Sequence, residues 1–368
     1  MKDEERRRYA GAGHFGLAAR HRKPKLRLFM KPTVLWSLLL ALAGMAPAAT
    51  ALERYEFSRP EMGMTFRITL YAPDEKTAGE AASAAFRRIK EINAIMSDYE
   101  PDSELSRLSR TSGSGQAVPL SDRLWFVLSK AQEFSERSGG AFDATVGPVV
   151  WLWRKARREH RLPDPVALAE TMKAVGYKNI RLDPAHHTAT LLVPGMRLDL
   201  GAIAKGYAVG EAVGALRERG IASALVVGGG NMSMSDPPPG KPGWRITVPP
   251  LDAPDAATKP ARCVVLARAS LSTSGDTYQY LEIGGKRYSH VVNPHTGIGL
   301  TDHCQVVVIA PDGITADGLS TCVGVLGPKA GLELIQSTPG VEAYIARKPG
   351  DKVETFESPG FAKFCEKP

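Results

Sequence analysis

An α+β fold is predicted from the periodicity of the apolar residues and from the order of the segments that carry it. Residues 64–72, MTFRITLYA, alternate in polarity as a half-buried strand does. Residues 77–96 instead place apolar side chains along one helical face. Helices and strands follow one another without the regular strand–helix–strand repeat of a doubly wound parallel sheet. The chain is therefore expected to form mixed sheets with packed helices.

The elements of the first half can be placed by their turns and caps. Residues 55–73 predict two strands joined by a tight turn near Gly63. The Ser103 region is expected to begin a short helix, and Ser121 to cap a longer one that ends at the glycine pair 139–140. Residues 196–221 predict a short strand, a loop with two glycines and a long helix.

The second half is richer in strands. Residues 222–234, ASALVVGGGNMSM, predict a buried strand that runs into three glycines. Apolar strands are expected in three later segments, and helices in two: strands within 259–275, 278–292 and 303–311, helices at 315–327 and 328–337. No internal repeat interrupts this pattern.

The net charge of +8 does not indicate nucleic-acid binding. Residues 1–32 hold ten Lys/Arg and three Asp/Glu, a surplus of seven, so only +1 is left for the remainder. Since the basic residues are confined to the N-terminus, nucleic acid is excluded as an expected partner.

The N-terminal 51 residues have the pattern of an extension followed by a secretory signal peptide. A basic stretch at 23–32 precedes fourteen apolar residues, 33–46, and the small residues ATA at 49–51. Cleavage after Ala51 is expected, and Met30 is the expected true start of translation. The apolar segment is short for a membrane span, which makes a permanent anchor the weaker alternative. The exported domain is expected to be 52–368, located in the periplasm.

The four cysteines form no CxxC pair, a spacing that disfavours zinc and thiol-redox motifs. Export would permit disulfides, but buried unpaired thiols are the preferred interpretation.

Asp317 and Thr321 are the first candidate ligands for a metal ion. A spacing of four residues puts both side chains on one face of a helix, about one turn apart. Two hard oxygen donors on one face would suit Mg²⁺ or Ca²⁺. The alternative is structural: Thr315 or Asp317 caps the helix, and Thr321 bonds back to a carbonyl.

Four other stretches combine glycine with polar side chains at the ends of elements, and each also has a structural explanation. Asp143 in GGAFDATVGP can be explained by an Asx turn after the end of a helix. Asp199 in LDLGAIAKGYA can be explained as the cap of a helix that carries Lys205 on its surface. The glycines of VVGGGN suit a phosphate loop or a simple turn. His290 in YSHVVNPHTG suits a core histidine with satisfied hydrogen bonds.

Taken in order, these stretches resemble the ApbE family of FAD:protein FMN transferases, from about residue 54 to about residue 347. The resemblance also rests on MGMTFRITLY, DYEPDSELSRLS and TADGLSTCVGVLG. It implies an ApbE-like flavin transferase fold and a Mg²⁺-dependent enzyme. The implied reaction moves the FMN moiety of FAD to a threonine hydroxyl of an acceptor flavoprotein through a phosphoester, and releases AMP.

The resemblance also implies roles for individual residues. Asp317, Thr321 and the backbone carbonyl of Ala202 would hold Mg²⁺, and His290 or Asp317 would remove the acceptor proton. The positions that it assigns to FAD are Met62, Tyr99, Ala141, Phe142, Asp143, Asp199, Lys205, His290 and Val291. The chain departs from the family pattern at Asn293, where a carboxylate is frequent, and Ala202 serves only if its backbone is the ligand.

Two other functions use the same residues. A Mg²⁺-dependent FAD pyrophosphatase would let water attack and give free FMN and AMP, whereas a periplasmic flavin carrier would need no metal. The expected partner of a transferase is an exported flavoprotein, such as a subunit of a sodium-pumping NADH:quinone reductase or a related redox complex. Such a partner would bring the enzyme to the outer face of the inner membrane.

Overall fold

Residues 51–251, 262–276 and 280–366 are described by the structure, a computed structural model. The predicted signal peptide up to Thr50 and the Met30 start lie outside the described residues. No helix of the described part is long and apolar enough to cross a membrane.

Fifteen strands are found in the described residues. In chain order they are β1 (Glu53–Glu61), β2 (Met64–Ala72), β3 (Val118–Pro119), β4 (Ile180–Asp183), β5 (Thr188–Leu191), β6 (Ala224–Gly228), β7 (Asn231–Met234), β8 (Trp244–Val248), β9 (Arg262–Leu266), β10 (Ala269–Gly275), β11 (Tyr280–Ile283), β12 (Lys286–Ser289), β13 (His303–Ala310), β14 (Glu342–Lys348) and β15 (Glu354–Glu357). Eight of them form the main sheet in the order β1-β2-β6-β7-β10-β13-β14-β15. The smaller sheets are β3-β5-β4, β8-β9 and β11-β12. Neighbouring strands pair antiparallel, and short hairpins connect β1 to β2 and β6 to β7.

Eight α-helices accompany these strands in the described residues. They are α1 (Glu75–Met96), α2 (Glu104–Ser109), α3 (Asp122–Arg137), α4 (Gly147–Glu159), α5 (Pro165–Met172), α6 (Ala204–Glu218), α7 (Gly313–Leu326) and α8 (Pro328–Gln336). Short 3₁₀ turns occur at Tyr177–Asn179 and Phe361–Phe364. Ser103 and Ser121 accept backbone N–H groups as the predicted caps of α2 and α3.

The main sheet is covered differently on its two faces. On one face, Phe66, Val226 and Val308 pack into the largest core together with the apolar residues of α1, α6 and α7. On the other face, Leu271 and Val307 pack with the β8–β9 hairpin. Alternating residues of one strand thus serve two cores, which agrees with the predicted α+β class.

Several predictions of local structure need correction. The expected strand before Gly201 does not form, since residues 196–200 contribute a single bridge between Arg197 and Val146. Gly206, expected in the loop, lies inside α6. The segments 259–275 and 278–292 each contain two strands, β9 with β10 and β11 with β12. The three glycines at 228–230 close the β6–β7 hairpin, so the expected turn is present.

The cysteines are unpaired, as predicted. Cys304 and Cys322 are buried, but Cys263 and Cys365 are only half-buried. The predicted burial is therefore confirmed for two of the four cysteines.

Candidate active site

Asp317 lies in the second turn of α7 and points toward the start of α6. Its side chain is 5% exposed, and its Oδ2 accepts the backbone N–H of Gly206 at 2.8 Å. The cap of α7 is Asp312, whose Oδ1 accepts the N–H of Thr315 at 2.8 Å. Asp317 is therefore not the cap of its own helix. It instead supplies an acceptor to α6, which has no side-chain cap of its own.

Helices α6 and α7 approach through glycines. A Cβ atom added at Gly206 would lie 2.1 Å from the Gly313 carbonyl oxygen and 2.4 Å from Cβ of Asp317. A Cβ at Gly313 would likewise lie 2.1 Å from the carbonyl oxygen of Gly206. Only glycine permits this contact between the two backbones. As a result, the beginning of α6, with Ala202 two residues before it, lies against the Asp317 end of α7.

Two polar residues of the main sheet, Asn231 on β7 and Ser272 on β10, lie next to Asp317. Asn231, at the start of β7, is 3% exposed, and its Oδ1 has no hydrogen-bond partner among the described residues. Burial raises the pKa of the Asp317 carboxyl. Lys205, the Gly206 N–H and the side chains of Asn231 and Ser272 oppose this shift by favouring the carboxylate. The site thus holds a buried carboxylate that needs positive charge around it.

The two hydroxyls of α7 that follow Asp317 differ in their bonding. Ser320 donates to the Asp317 carbonyl at 2.8 Å and lies 3.1 Å from the Ser272 hydroxyl. Thr321 is half-buried, and no bond from it back to a helix carbonyl is seen in the described residues. The structural alternative for Thr321 is therefore not supported, and its hydroxyl remains available one turn after Asp317.

The oxygen donors of this region fit a magnesium ion. Asp317 offers a carboxylate oxygen, Thr321 a hydroxyl and Ala202 a backbone carbonyl, and the Asn231 side chain, which hydrogen-bonds Asp317, carries a buried Oδ1 without a partner among the described residues. Within the described ranges, no group of three or more His, Cys, Asp or Glu residues is arranged for a metal ion. Mg²⁺ is bound by one or two carboxylates and keeps several waters, so one carboxylate with neutral oxygens suits it.

The loop before α6 is organised by Asp199. Its Oδ1 accepts the N–H of Gly201 at 2.7 Å, and its Oδ2 forms an ion pair with Arg154 at 3.0 Å. Lys205 donates from Nζ to the carbonyl of Gly201. Burial, followed by the neighbouring Asp98, raises the pKa of Asp199, whereas Arg154, the Gly201 N–H and Lys205 lower it. Asp199 therefore fixes its own loop and lies inside a charged network, but the expected helix cap is wrong, because α6 begins after Ile203 without a side-chain cap.

The segment Ala141–Phe142–Asp143 is buried and structurally constrained. Asp143 accepts the N–H and the hydroxyl of Thr145 at 2.7 and 2.6 Å with Oδ1, and the N–H of Tyr177 at 2.8 Å with Oδ2. Burial raises the pKa of the Asp143 carboxyl, and these hydrogen bonds oppose the shift. The predicted Asx turn is thus present. Phe142 packs edge-on against Phe134 in the core, 6.0 Å between ring centroids.

A cavity of about 190 Å³ opens beside Asp143. The residues that line it come from three segments of the chain: Gly140 and Asp143, Val175 to Lys178, and Pro294 with His295. The GGAFD stretch and the NPHTG turn, which the sequence placed more than a hundred residues apart, therefore meet at one cavity.

Met62 and Tyr99 lie in two surface turns. Met62 and Gly63 both have positive φ, +49° and +73°, in the tight turn predicted between β1 and β2. The turn lies close to the β6–β7 hairpin, since a Cβ at Gly229 would be 2.9 Å from Sδ of Met64. Tyr99 is 73% exposed, and the guanidinium of Arg154 lies 4.1 Å from the centre of its ring.

His290 and Val291 follow the β11–β12 hairpin. The Val291 N–H donates to Ser289 Oγ at 3.1 Å, and its carbonyl accepts the N–H of Leu300 at 2.9 Å. A Cβ at Gly324 would lie 4.0 Å from Leu300, so this loop is next to α7, one turn beyond Thr321. Asn293 makes the predicted turn, its Oδ1 accepting the N–H of His295.

The comparisons with known proteins decide the family. The model of the ApbE family matches residues 62–345, most of the chain.

The chain belongs to the ApbE family.

Relatives in sequence agree with this assignment. Similar proteins include the FAD:protein FMN transferase of Haemophilus influenzae, 32% identical over 318 residues that cover 83% of this chain and 90% of that protein. The Treponema pallidum FAD:protein FMN transferase is 31% identical over 83% of this chain and 88% of its own length. Among solved structures, the flavin transferase ApbE from Vibrio cholerae has a TM-score of 0.75 and 28% identity, covering 85% of this chain and 99% of that one. The ApbE protein of Thermotoga maritima has a TM-score of 0.76 and 27% identity, with coverage of 86% and 100%.

Membership in the ApbE family confirms the resemblance and the ApbE-like fold. The structure brings Asp317, Lys205 and the start of α6 together, and places Tyr99 and Asp199 around Arg154. Sequence reasoning missed Asn231, Arg154, Tyr177 and His295. The only local signal for Asn231 is its position directly after the three glycines, and Arg154 lies in a helix that was not predicted.

Proposed function

We propose that this ApbE family member transfers the FMN moiety of FAD to a threonine hydroxyl of an acceptor flavoprotein, in a Mg²⁺-dependent reaction that releases AMP. The family and the names of the relatives support a flavin transferase. The observation that carries the proposal is the buried carboxylate of Asp317, which lies between the start of α6 and the side chains of Asn231 and Ser272 on the main sheet.

In this proposal Asp317, Thr321 and the Ala202 carbonyl hold the magnesium ion. Bound Mg²⁺ would act as a Lewis acid that neutralises charge on the phosphoryl oxygens. The contact between Gly206 and Gly313 keeps the start of α6 and Asp317 at a fixed separation, so the donors are preorganised. Lys205, which favours the Asp317 carboxylate, adds positive charge on the same side.

The remaining residues position FAD and handle the proton. Met62, Tyr99, Ala141 to Asp143, Asp199, Lys205, His290 and Val291 are the proposed FAD contacts, with the cavity beside Asp143 as part of the binding surface. The acceptor oxygen forms a bond to the FMN phosphorus while the bond from that phosphorus to AMP breaks. His290 is the proposed base for the hydroxyl proton, because a metal ion and the Gly206 N–H both favour the charged, weakly basic form of Asp317.

The test compares Asp317 of α7 with Asp312, the cap of the same helix. Asp317→Asn keeps an oxygen that can accept the Gly206 N–H but removes the charge that would hold the metal. Transfer should fall by at least about hundredfold, or ~2.7 kcal/mol of transition-state stabilisation. Asp312→Asn is the matched control, because Asn caps helices about as well as Asp and Asp312 is exposed.

Each protein is mixed with FAD, Mg²⁺ and the flavin-carrying subunit of a sodium-pumping NADH:quinone reductase, and FMN fluorescence is read on the denatured acceptor. Wild type and Asp312→Asn should label it, and EDTA should stop both. Full labelling by Asp317→Asn, at an unchanged melting temperature, would refute the metal assignment. Release of free FMN without labelled acceptor would favour the pyrophosphatase, and FAD binding without either product would favour the carrier.

An exported location is also part of the proposal, supported by the basic, apolar and small-residue pattern before Leu52. Mass spectrometry of a periplasmic fraction should find a chain that begins at Leu52. An intact N-terminus ahead of Ala51 would contradict it.

A further inference from the structure

Arg154 joins three parts of the chain that sequence reasoning treated separately. It lies on α4, and its side chain is 16% exposed. Its Nη1 is 2.5 Å from Oδ2 of Asp98, in the loop after α1, and its Nη2 is 3.0 Å from Oδ2 of Asp199, in the loop before α6. The same guanidinium lies over the ring of Tyr99. One side chain therefore contacts two carboxylates and an aromatic ring.

The geometry of this cluster requires an arginine. A guanidinium is planar, so it can donate to two carboxylates at its edge and present its face to a ring. Asp98 and Asp199 are 10% and 9% exposed, and two poorly solvated carboxylates repel one another unless a cation lies between them. Arg197 also holds the loop at Asp98 in place, because its Nη2 donates to the Asp98 carbonyl at 2.5 Å.

The hydrogen bonds of Arg154 argue against a phosphate contact at its guanidinium. Both of its terminal nitrogens already donate to carboxylates. An anion would gain little there. The group that the cluster presents to solvent is the exposed ring of Tyr99, and the nearly buried carboxylate of Asp199 lies against the same guanidinium. An exposed aromatic ring suits stacking against the flat ring of a nucleotide.

We propose that Arg154 is a positioning residue for FAD, which holds the Tyr99 ring and the Asp199 carboxylate in the orientation that binds the nucleotide. This inference rests on the proposed function, since both residues are proposed FAD contacts. Arg154 acts before the chemical step, so its loss should weaken FAD binding and leave the rate of the bound complex nearly unchanged.

The test uses four variants. Arg154→Met removes both the positive charge and the planar set of N–H donors. Arg154→Lys keeps the charge but not the planar donors. Arg158→Met is the matched control, an exposed arginine one turn further along α4. The double variant Asp98→Asn/Arg154→Met removes one of the two carboxylates that Arg154→Met leaves without a guanidinium, and Asp199 keeps the Gly201 N–H and the charge of Lys205, so it should fold even if the single variant is unstable.

FAD affinity is measured by quenching of flavin fluorescence, KM and kcat by labelling of the acceptor subunit, and folding by melting temperature. Arg154→Met should raise the KM for FAD about tenfold with kcat nearly unchanged. Arg154→Lys should recover part of the affinity, and Arg158→Met should match wild type. The double variant should melt above Arg154→Met but should not regain the affinity of wild type for FAD.

Three results would overturn the inference. Wild-type affinity in Arg154→Met would remove any role in binding, and wild-type affinity in the double variant would show that Arg154 only neutralises Asp98. A fall in kcat with unchanged KM would place Arg154 in the chemical step. Failure of the proposed function is distinguishable, because wild type itself would then neither bind FAD nor label the acceptor.

Discussion

The contact between α6 and α7 predicts opposite effects for one substitution at two glycines of the same helix. Gly206→Ala would place a methyl group 2.1 Å from the Gly313 carbonyl oxygen and 2.4 Å from Cβ of Asp317. Neither atom is the end of a flexible side chain, so the two helices must separate. Gly214→Ala puts the same methyl group where no atom lies within 4 Å.

The magnitudes follow from packing and helix propensity. Replacing glycine by alanine inside a helix stabilises by about 0.4–1 kcal/mol where the backbone is compatible. Overpacking a tight contact costs about 1–3 kcal/mol. Since both variants gain the same propensity, the difference between them isolates the clash at roughly 1–3 kcal/mol. At about 2 °C per kcal/mol for a domain of this size, Gly206→Ala should melt roughly 2–6 °C below Gly214→Ala.

Melting curves with and without Mg²⁺ and FAD would check both the fold and the site. Gly206→Ala should also lose stabilisation by the ligands, because Asp317 moves together with α7. Gly214→Ala should melt above wild type and keep its response to ligands. If both variants were stabilised equally, the close approach of the two helices would be refuted.

Two further predictions concern buried groups. Burial raises the pKa of Cys304 and of Cys322 to about 12, so at pH 8 an aromatic disulfide reagent should label only Cys263 and Cys365 until the protein is unfolded. Because an unfolded thiol ionises near the ordinary value of 9.0 and the folded one does not, these two thiols should lower stability as the pH rises above about 9. Labelling of Cys304 or Cys322 in the native protein would contradict their burial. Asp143→Ala leaves buried donors without an acceptor and should lower the free energy of unfolding by at least about 2 kcal/mol in denaturant titration, whereas an unchanged midpoint would show that its hydrogen bonds contribute nothing.

Elements with local signals could be predicted from the sequence. Ser103 and Ser121 cap their helices, and Gly63 marks a tight turn with positive φ, because each signal acts within four residues. Helix α4 was missed for the opposite reason. It begins at Val146–Gly147 without a side-chain cap that would mark its start, although Val149, Trp153 and Ala156 form a buried stripe along it. The strand expected at 196–200 does not form. Only Arg197 of this segment pairs with another residue, Val146, and a strand needs a ladder of such pairs with its neighbour.

The candidate site divides along the same line. Asp317 and Thr321 could be proposed from their spacing in the sequence, since a helix fixes which side chains share a face. Nothing local indicates that Asp317 accepts an N–H from Gly206, 111 residues away, or that the Oδ1 of Asn231 is buried beside them without a partner. A candidate ligand can thus be predicted from one segment, but the groups that hold it depend on where helices pack.

Arg154 shows how far this dependence reaches. Its carboxylate partners are Asp98, 56 residues away in the chain, and Asp199, 45 residues away. Each lies in a loop where the sequence gives no sign of an arginine partner. A guanidinium that neutralises two buried acids has no sequence pattern of its own, because its function exists only once three segments are packed together. Residues that contact a nucleotide can therefore be proposed from family motifs, whereas the residue that orients them is found by tracing where each buried charge is neutralised.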